Sequence, residues 1–401
     1  MGITAEYNPF HNGHLYHLEE SRRQSGAEIV VCAMSGDFVQ RGAPAIADKW
    51  VRARMAVLGG ADLVVEIPTV FACNAAPIFA ASAVEILEEL GADYISFGSE
   101  AGNIEALCEI ARAIAAQEET LAESIRHKVK EGLSFPRARA EAVAEALGGE
   151  ACALLDTPNN ILALEYIKCM RRAKPLTIAR LGPGYSELNA EGSLASATAI
   201  RRMLREGENI DTLVPQPARE LLDAEPRPDS ERLFALLCMQ VFARSAAELD
   251  RVCAGGEGLG NKLKNEIRRA ASWDELVEIL KSKRYTRTRI ERFLMHVLLD
   301  IAAPEKYTNF IRPLAFNSRG SAYLKAVKKS GLCRLPFVSS VKKAPVETPA
   351  ETAKEPPVEV WASAALAAAI EKEILAADIY NLICGRDLYE FSEFVRSPRL
   401  V

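Results

Sequence analysis

Five short runs of β-branched and other apolar residues, separated by stretches of helical periodicity, set the narrowest limit on what this chain can fold into. The runs lie at 3–6, 28–34 (EIVVCAM), 62–67 (DLVVEI), 93–97 (DYISF) and 175–181 (PLTIARL). The helical patterns between them cover 13–24, 47–58, 75–90 and 104–115. Strands that alternate with helices predict an α/β fold, with a parallel sheet covered on both faces. Such sheets bind ligands at the carboxyl ends of their strands.

From 104 to 149 the chain is rich in Ala and Glu and reads as a helical excursion from this domain; 157–172 is a further helix. After Ser196 the pattern is almost entirely helical, over 196–206, 230–245, 259–271, 273–282 and 286–302. A boundary near 210 follows. Residues 1–210 are expected to form an α/β domain, and 211–401 a mostly α-helical C-terminal domain. Within the latter, 342–359 (KKAPVETPAETAKEPPVE) is too polar and Pro-rich to bury a core and reads as a flexible segment. A last helix, 361–383, is expected to dock back on the second domain.

The rest of the composition excludes several classes. No apolar run approaches the roughly 18 residues needed to cross a bilayer, and the N-terminus, MGITAEYNPF, lacks the basic-then-apolar order of a secretory signal. The nine cysteines form no CxxC pair, which argues against a zinc site or a disulfide framework and for a reducing, cytoplasmic setting. The net charge of −5 conceals an asymmetry: between Arg251 and Pro345 there are 20 Lys or Arg and only 8 Asp or Glu. A local basic excess in an acidic chain is the footprint of a nucleic-acid partner. A merely solvated helical surface has the same composition.

The segment that carries chemistry is EYNPFHNGHLYH, residues 6–17. It places His11-Asn12-Gly13-His14, an HxGH sequence, directly after the first strand and at the opening of a helix. A helix start offers free N–H groups and a positive dipole end, which attract phosphate. Gly13 leaves room for close approach, Pro9 fixes the loop, and two imidazoles can stabilise charge that develops on an attacked phosphate. Simple helix capping by the histidines is the bland alternative. Zinc binding by His11, His14 and His17 is weaker, since no thiol stands at ligand spacing.

The strand–HxGH–helix unit resembles the nucleotidyltransferase superfamily, and implies a Rossmann-like domain. That superfamily has a second signature, a Ser/Thr-rich turn ending in Ile-Arg; SATAIR at 196–201 is similar to it. Hydroxyls such as those of Ser196 and Thr198 at a helix start suit phosphates, and the planar fork of Arg201 can clamp them. A Ser N-cap on an ordinary helix is the alternative. A finer resemblance, nearly end to end, is to the tRNA(Met) cytidine acetate ligase family. It rests on EYNPFHNGH (6–14), MSGDFVQRG (34–42), PAIADKW (44–50), FGSE (97–100), PNNILALEYIK (158–168), RLGPGY (180–185), SATAIRR (196–202) and RYTRTRIERFL (284–294). The chain departs from that family in opening at Met1-Gly2, a few residues short of a full first strand, and in the insertion-like stretch 342–359.

The resemblance implies that ATP contacts Thr4, Ala5, Glu6, Tyr7, Asn8, Pro9, Phe10, His11, Asn12, Gly13, His14, Leu15, Tyr16, His17, Gly98, Asn160 and Arg180, with Asn159 an alternative to its neighbour Asn160. It implies an acetate ligase: acetate attacks the α-phosphate of ATP to give acetyl-adenylate, and the acetyl group passes to the wobble cytidine of elongator tRNA(Met). His11 and His14 would stabilise the α-phosphate, Arg201 and Lys49 would hold the leaving pyrophosphate, and Mg²⁺ would share its charge. Arg41 and Glu6 are weaker candidates. The cluster Lys281, Lys283, Arg284, Arg287, Arg289 and Arg292 would bind tRNA phosphates, and Tyr285 either stacks on RNA or packs in the core. Two other functions remain open from sequence: an adenylyltransferase acting on a small phosphorylated metabolite, and a non-catalytic RNA-binding protein.

Overall fold

The computed structural model describes residues 1–148, 157–179, 194–341 and 358–401. Arg180 and nearly all of the 342–359 segment lie outside the described residues. Among the described residues there are nine strands: β1 Gly2–Ala5, β2 Val31–Ser35, β3 Phe38–Val39, β4 Ala43–Pro44, β5 Leu63–Ile67, β6 Tyr94–Ser99, β7 Lys174–Ala179, β8 Pro313–Phe316 and β9 Arg399–Leu400. Seven of them make one sheet in the order β7-β6-β1-β2-β5-β8-β9, while β3 and β4 form a separate hairpin. The pairs from β7 across to β5 are parallel. Every residue of β2 (VCAMS) and β5 (LVVEI) is buried, as befits central strands covered on both faces.

Helix α1, Asn12–Ser25, follows β1 and ends at Gly26 in the left-handed conformation, with φ 63°. Helix α2, Lys49–Leu58, follows the hairpin; Asp48 caps it by accepting a hydrogen bond from the Val51 N–H at 2.7 Å. The expected excursion consists of three helices, Ile104–Ala116, Glu118–Lys130 and Phe135–Leu147. Among the described residues no helix is long and apolar enough to cross a membrane.

The C-terminal half departs from the helical expectation in one respect. Strand β8 pairs antiparallel with β5, and β9 pairs with β8, so the last third of the chain completes the first domain's sheet. Four residues beginning with proline are too short for a periodic signal. One core cluster runs from the sheet (Val31, Leu63, Phe97) into the helical half (Leu237, Leu276, Phe293, Tyr380). The change of pattern near 210 therefore does not separate two cores. The final helix, Val358–Cys384, touches the nucleotide-domain side as well: the Tyr380 hydroxyl donates to the Ala45 carbonyl at 2.9 Å, and Glu373 accepts from the Thr69 hydroxyl at 2.8 Å.

Candidate active site

Strand β1 ends at Ala5, and the loop to α1 turns sharply. Tyr7 adopts φ 45° and Asn8–Pro9 is cis. The loop is held from three sides. Asn8 Oδ1 accepts from the Ile46 N–H at 2.8 Å, the Asn8 carbonyl accepts from Arg201 at 2.7 Å, and Glu6 Oε1 accepts from the Gln40 N–H at 3.1 Å. Tyr7 and Phe10 are buried beneath it, with ring centroids 5.0 Å apart.

The two histidines of HxGH do cap the helix, and the manner of capping defines their chemistry. His11 Nδ1 accepts from the Gly13 N–H at 3.0 Å, and His14 Nδ1 accepts from the His11 N–H at 3.3 Å. This is a capping box built from imidazoles. Because each Nδ1 is an acceptor, the proton of each neutral ring sits on Nε2. The rings stack with centroids 3.7 Å apart. Both Nε2–H groups thus belong to rings stacked at a helix N-terminus, a place suited to an anionic phosphate. Gly13 serves this directly: a Cβ there would lie 2.9 Å from His11 Cε1. Its role is to admit the His11 ring, a reason additional to room for a nucleotide.

The remaining expected contacts gather at the carboxyl ends of β6 and β1. His17 Nε2 lies 3.2 Å from the Ser96 hydroxyl on β6. Gly98 is on β6, half-buried. Asn160 is buried, and its Oδ1 accepts from the Glu100 and Ala101 N–H groups at 3.0 and 3.2 Å, so it shapes the turn leaving β6. Asn159 donates to the Glu100 carboxylate beside it. Ser196 is the N-cap of helix Ala197–Glu206, accepting from the Ala199 N–H at 3.2 Å. Arg201 on that helix bonds the Asn8 carbonyl and the Thr198 hydroxyl and meets no carboxylate among the described residues. Burial, partly offset by Glu6, holds its pKa below the usual guanidinium value.

Lys49 is placed differently from the expectation. Its side chain is fully buried, with Nζ 2.7 Å from Glu66, 3.0 Å from Glu393, 3.7 Å from Glu373 and 3.9 Å from Asp37. Arg312 joins the same network, bonding Glu393 and lying 3.5 Å from Glu66. The ammonium is committed to carboxylates and offers phosphate no free charge; it ties α2 to the chain's C-terminal segment. Burial beside Glu66 pushes the Glu373 carboxyl well up, and burial pushes Asp37 up to about 6.

Sequence reasoning missed Arg52, one turn further along α2 and also fully buried. It donates to the carbonyls of Ala47 at 2.9 Å, Glu6 at 2.5 Å and Ser35 at 3.1 Å, and to that of Gly36. It thereby fixes the exits of β1 and β2 relative to each other and leaves a positive charge beneath the loop between β1 and α1. Nothing in KWVRARMAVL, which also holds Lys49 and Arg54, marks Arg52 as buried.

The basic zone is less free than its composition suggests. Arg287 pairs with Asp274, Glu278 and Glu291; Lys281 with Glu278; Arg284 and Arg289 with Glu257. Tyr285 is buried and donates its hydroxyl to Glu257 at 2.7 Å, which settles its choice in favour of packing. Lys283 and Arg292 form no ion pair among the described residues. Surface pairs of this kind are weak, and phosphates can displace them. Arg41 is exposed at the hairpin tip. Among the described residues no three His, Cys, Asp or Glu side chains come together as metal ligands; an Mg²⁺ ion would arrive with the ATP phosphates, as such ions usually do. All eight described cysteines are free thiols.

Comparison with known proteins agrees with this geometry. The family described as HIGH Nucleotidyl Transferase matches residues 1–391. The tRNA(Met) cytidine acetate ligase of Syntrophotalea carbinolica is 40% identical over 362 residues, 86% of this chain and 85% of the relative. The protein of the same name from Caldicellulosiruptor saccharolyticus is 40% identical over 347 residues, 82% and 84% of the two chains. The crystal structure of Thermotoga maritima TmcAL bound with alpha-thio ATP superposes with a TM-score of 0.85 at 28% identity, covering 100% of this chain and 99% of that one. With a strand–HxGH–helix site at the carboxyl edge of a parallel sheet and relatives that match over most of both lengths, the chain belongs to the HIGH nucleotidyl transferase family and, within it, to the tRNA(Met) cytidine acetate ligases.

Proposed function

We propose that the chain is a cytoplasmic ATP-dependent ligase that acetylates the wobble cytidine of elongator tRNA(Met), giving N4-acetylcytidine by way of acetyl-adenylate. The observation that carries this reading is the paired Nε2–H donors of His11 and His14 at the start of α1. An acetate oxygen attacks the α-phosphorus of ATP and the bond to pyrophosphate breaks. The histidines stabilise the charge on the α-phosphate oxygens as the new bond forms. Arg201 has N–H groups beyond those given to Asn8 and Thr198 and holds the departing phosphates, with Ser196 and Thr198 at the same helix start. An Mg²⁺ ion carried by ATP would neutralise phosphate charge. Gly98 and Asn160 contact the ATP, as the family resemblance implies; that a similar solved protein is bound with alpha-thio ATP supports ATP as the ligand.

In the second step the exocyclic amine of cytidine attacks the acetyl carbonyl, AMP leaves, and the amine releases a proton. No protein nucleophile is needed; the protein contributes positioning and electrostatics. A loop base can leave its stack to reach such a site.

ATP–pyrophosphate exchange tests the reading. Acetate-dependent exchange in the wild type, reduced about 100-fold or more in His14→Ala, supports it. Exchange that ignores acetate, with AMP transferred to a phosphorylated metabolite, would refute it in favour of a small-molecule adenylyltransferase.

A further inference from the structure

Arg292 stands on the helix Arg287–Leu299 of the C-terminal half. It is half-buried, yet it forms no ion pair with any described residue. The nearest acid in sequence, Glu291, is drawn to Arg287 at 2.8 Å, and Arg289 on the preceding turn is drawn to Glu257. A guanidinium taken partly out of water without an anion is costly. Burial accordingly holds its pKa below the usual value.

The surroundings locate it at the substrate edge of the sheet. Arg292 and His296 are four residues apart and share a helix face. His296 Nε2 donates to the Cys73 carbonyl at 2.6 Å, at the end of the short helix Thr69–Ala72 that follows β5. The backbone of Arg292 also abuts the hairpin: a Cβ on Gly42 would lie 2.5 Å from the Arg292 nitrogen. Gln40 of that hairpin donates to Glu6, and the Cys73 thiol lies within electrostatic reach of both Arg292 and Glu6. Burial pushes that thiol up to about 12, so it is neutral and does not compete as an anion. The Arg292 helix thus lies against the hairpin that follows β2 and against the turn after β5, and its guanidinium forms no ion pair with a described carboxylate.

We propose that Arg292 is the receptor for the carboxylate of the acid substrate, holding acetate for attack on the α-phosphate. A small anion suits this position better than a tRNA phosphate does, because the guanidinium is half-buried whereas backbone phosphates stay in solvent. The inference rests on the ligase reading given above. It also gives the helical half a part in the first chemical step.

The test measures KM for acetate and for ATP, and Kd for the tRNA, in wild type, Arg292→Gln and Arg292→Lys, with a thermal melt to check folding. Loss of one charge-assisted bidentate contact raises the acetate KM about 10- to 100-fold in Arg292→Gln. ATP KM and tRNA affinity stay within about twofold, and Arg292→Lys, which keeps a point charge without the fork, falls between. If Arg292→Gln does not fold, Arg292→Lys decides by the same acetate KM. An unchanged acetate KM with weaker, less salt-dependent tRNA binding would make Arg292 an RNA phosphate contact and overturn the proposal. A uniform loss of kcat with every KM unchanged would overturn it too. If the wild type itself transfers no acetate to tRNA, the ligase reading falls, and this inference falls with it.

Discussion

His296 is the most quantitative handle on how the two halves hold together. It is fully buried between the nucleotide-domain turn at Cys73 and the helical half, with Nδ1 accepting from the Ala254 N–H at 3.0 Å and Nε2 donating to the Cys73 carbonyl. The bond from Ala254 requires an unprotonated Nδ1 and so the neutral ring. Burial, aided by the positive charge of Arg292, lowers its pKa from 6.5 to about 4. The unfolded chain therefore binds this proton more readily than the folded one between those two values, and stability must rise with pH there. The contribution is complete above about pH 6.5, declines as the pH falls, and levels off below about 4. At ~1.4 kcal/mol per pH unit the loss is on the order of 3 kcal/mol. Urea unfolding of wild type and His296→Gln from pH 7.5 down to pH 4 isolates it. Glutamine can mimic the Nε2 donor but does not titrate, so it is less stable at neutral pH by roughly 1–3 kcal/mol for the unmet Ala254 N–H. On acidification the gap between the two proteins closes by ~3 kcal/mol and can reverse. A gap that stays constant across the range would show that the ring titrates alike in both states and refute the argument.

Lys49→Met removes the cation from a buried cluster of carboxylates; it is expected to cost roughly 3–5 kcal/mol, seen as a lower urea midpoint, whereas a direct phosphate ligand would chiefly raise the ATP KM and leave stability nearly intact. Gly13→Ala presses its Cβ on the His11 ring; acetate-dependent exchange falls at least ~10-fold while the melting temperature moves little, and full activity would disprove the ring-seating role. Asn160→Ala strips the acceptor from two N–H groups after β6. It raises the ATP KM about tenfold, at ~1.4 kcal/mol, with tRNA affinity unchanged.

Much of this architecture was legible in the sequence because its signals are local. β-branched runs bracketed by helical periodicity located β1, β2, β5, β6 and β7 within a few residues. HxGH could be read as a phosphate site because a helix start has the same physics wherever it occurs. What was hidden depends on three-dimensional neighbours. Nothing near Lys49 in the chain indicates that Glu373 and Glu393, more than 300 residues later, surround it. The basic stretch looked free because Asp274 and Glu257, which neutralise Arg287, Arg284 and Arg289, come from other turns and loops. Arg52 and Arg292 give no sign of their surroundings, because charged residues also stand one turn away from each, Lys49 and Arg289.

The insertion of β8 between β5 and β9 bears on how the protein is made. Residues 1–210 emerge from the ribosome first, but β5 then has a bare edge of unpaired N–H and C=O groups along LVVEI, an apolar strand of the kind that pairs with other chains. Only when Pro313–Phe316 has been synthesised is that edge covered, and Lys49, which has Glu66 and Asp37 from the start, gains Glu393 and Glu373 later still. A nascent chain thus carries an unfinished sheet and an incomplete carboxylate cluster around Lys49 until translation is almost over. A fragment ending near 210 is therefore expected to aggregate.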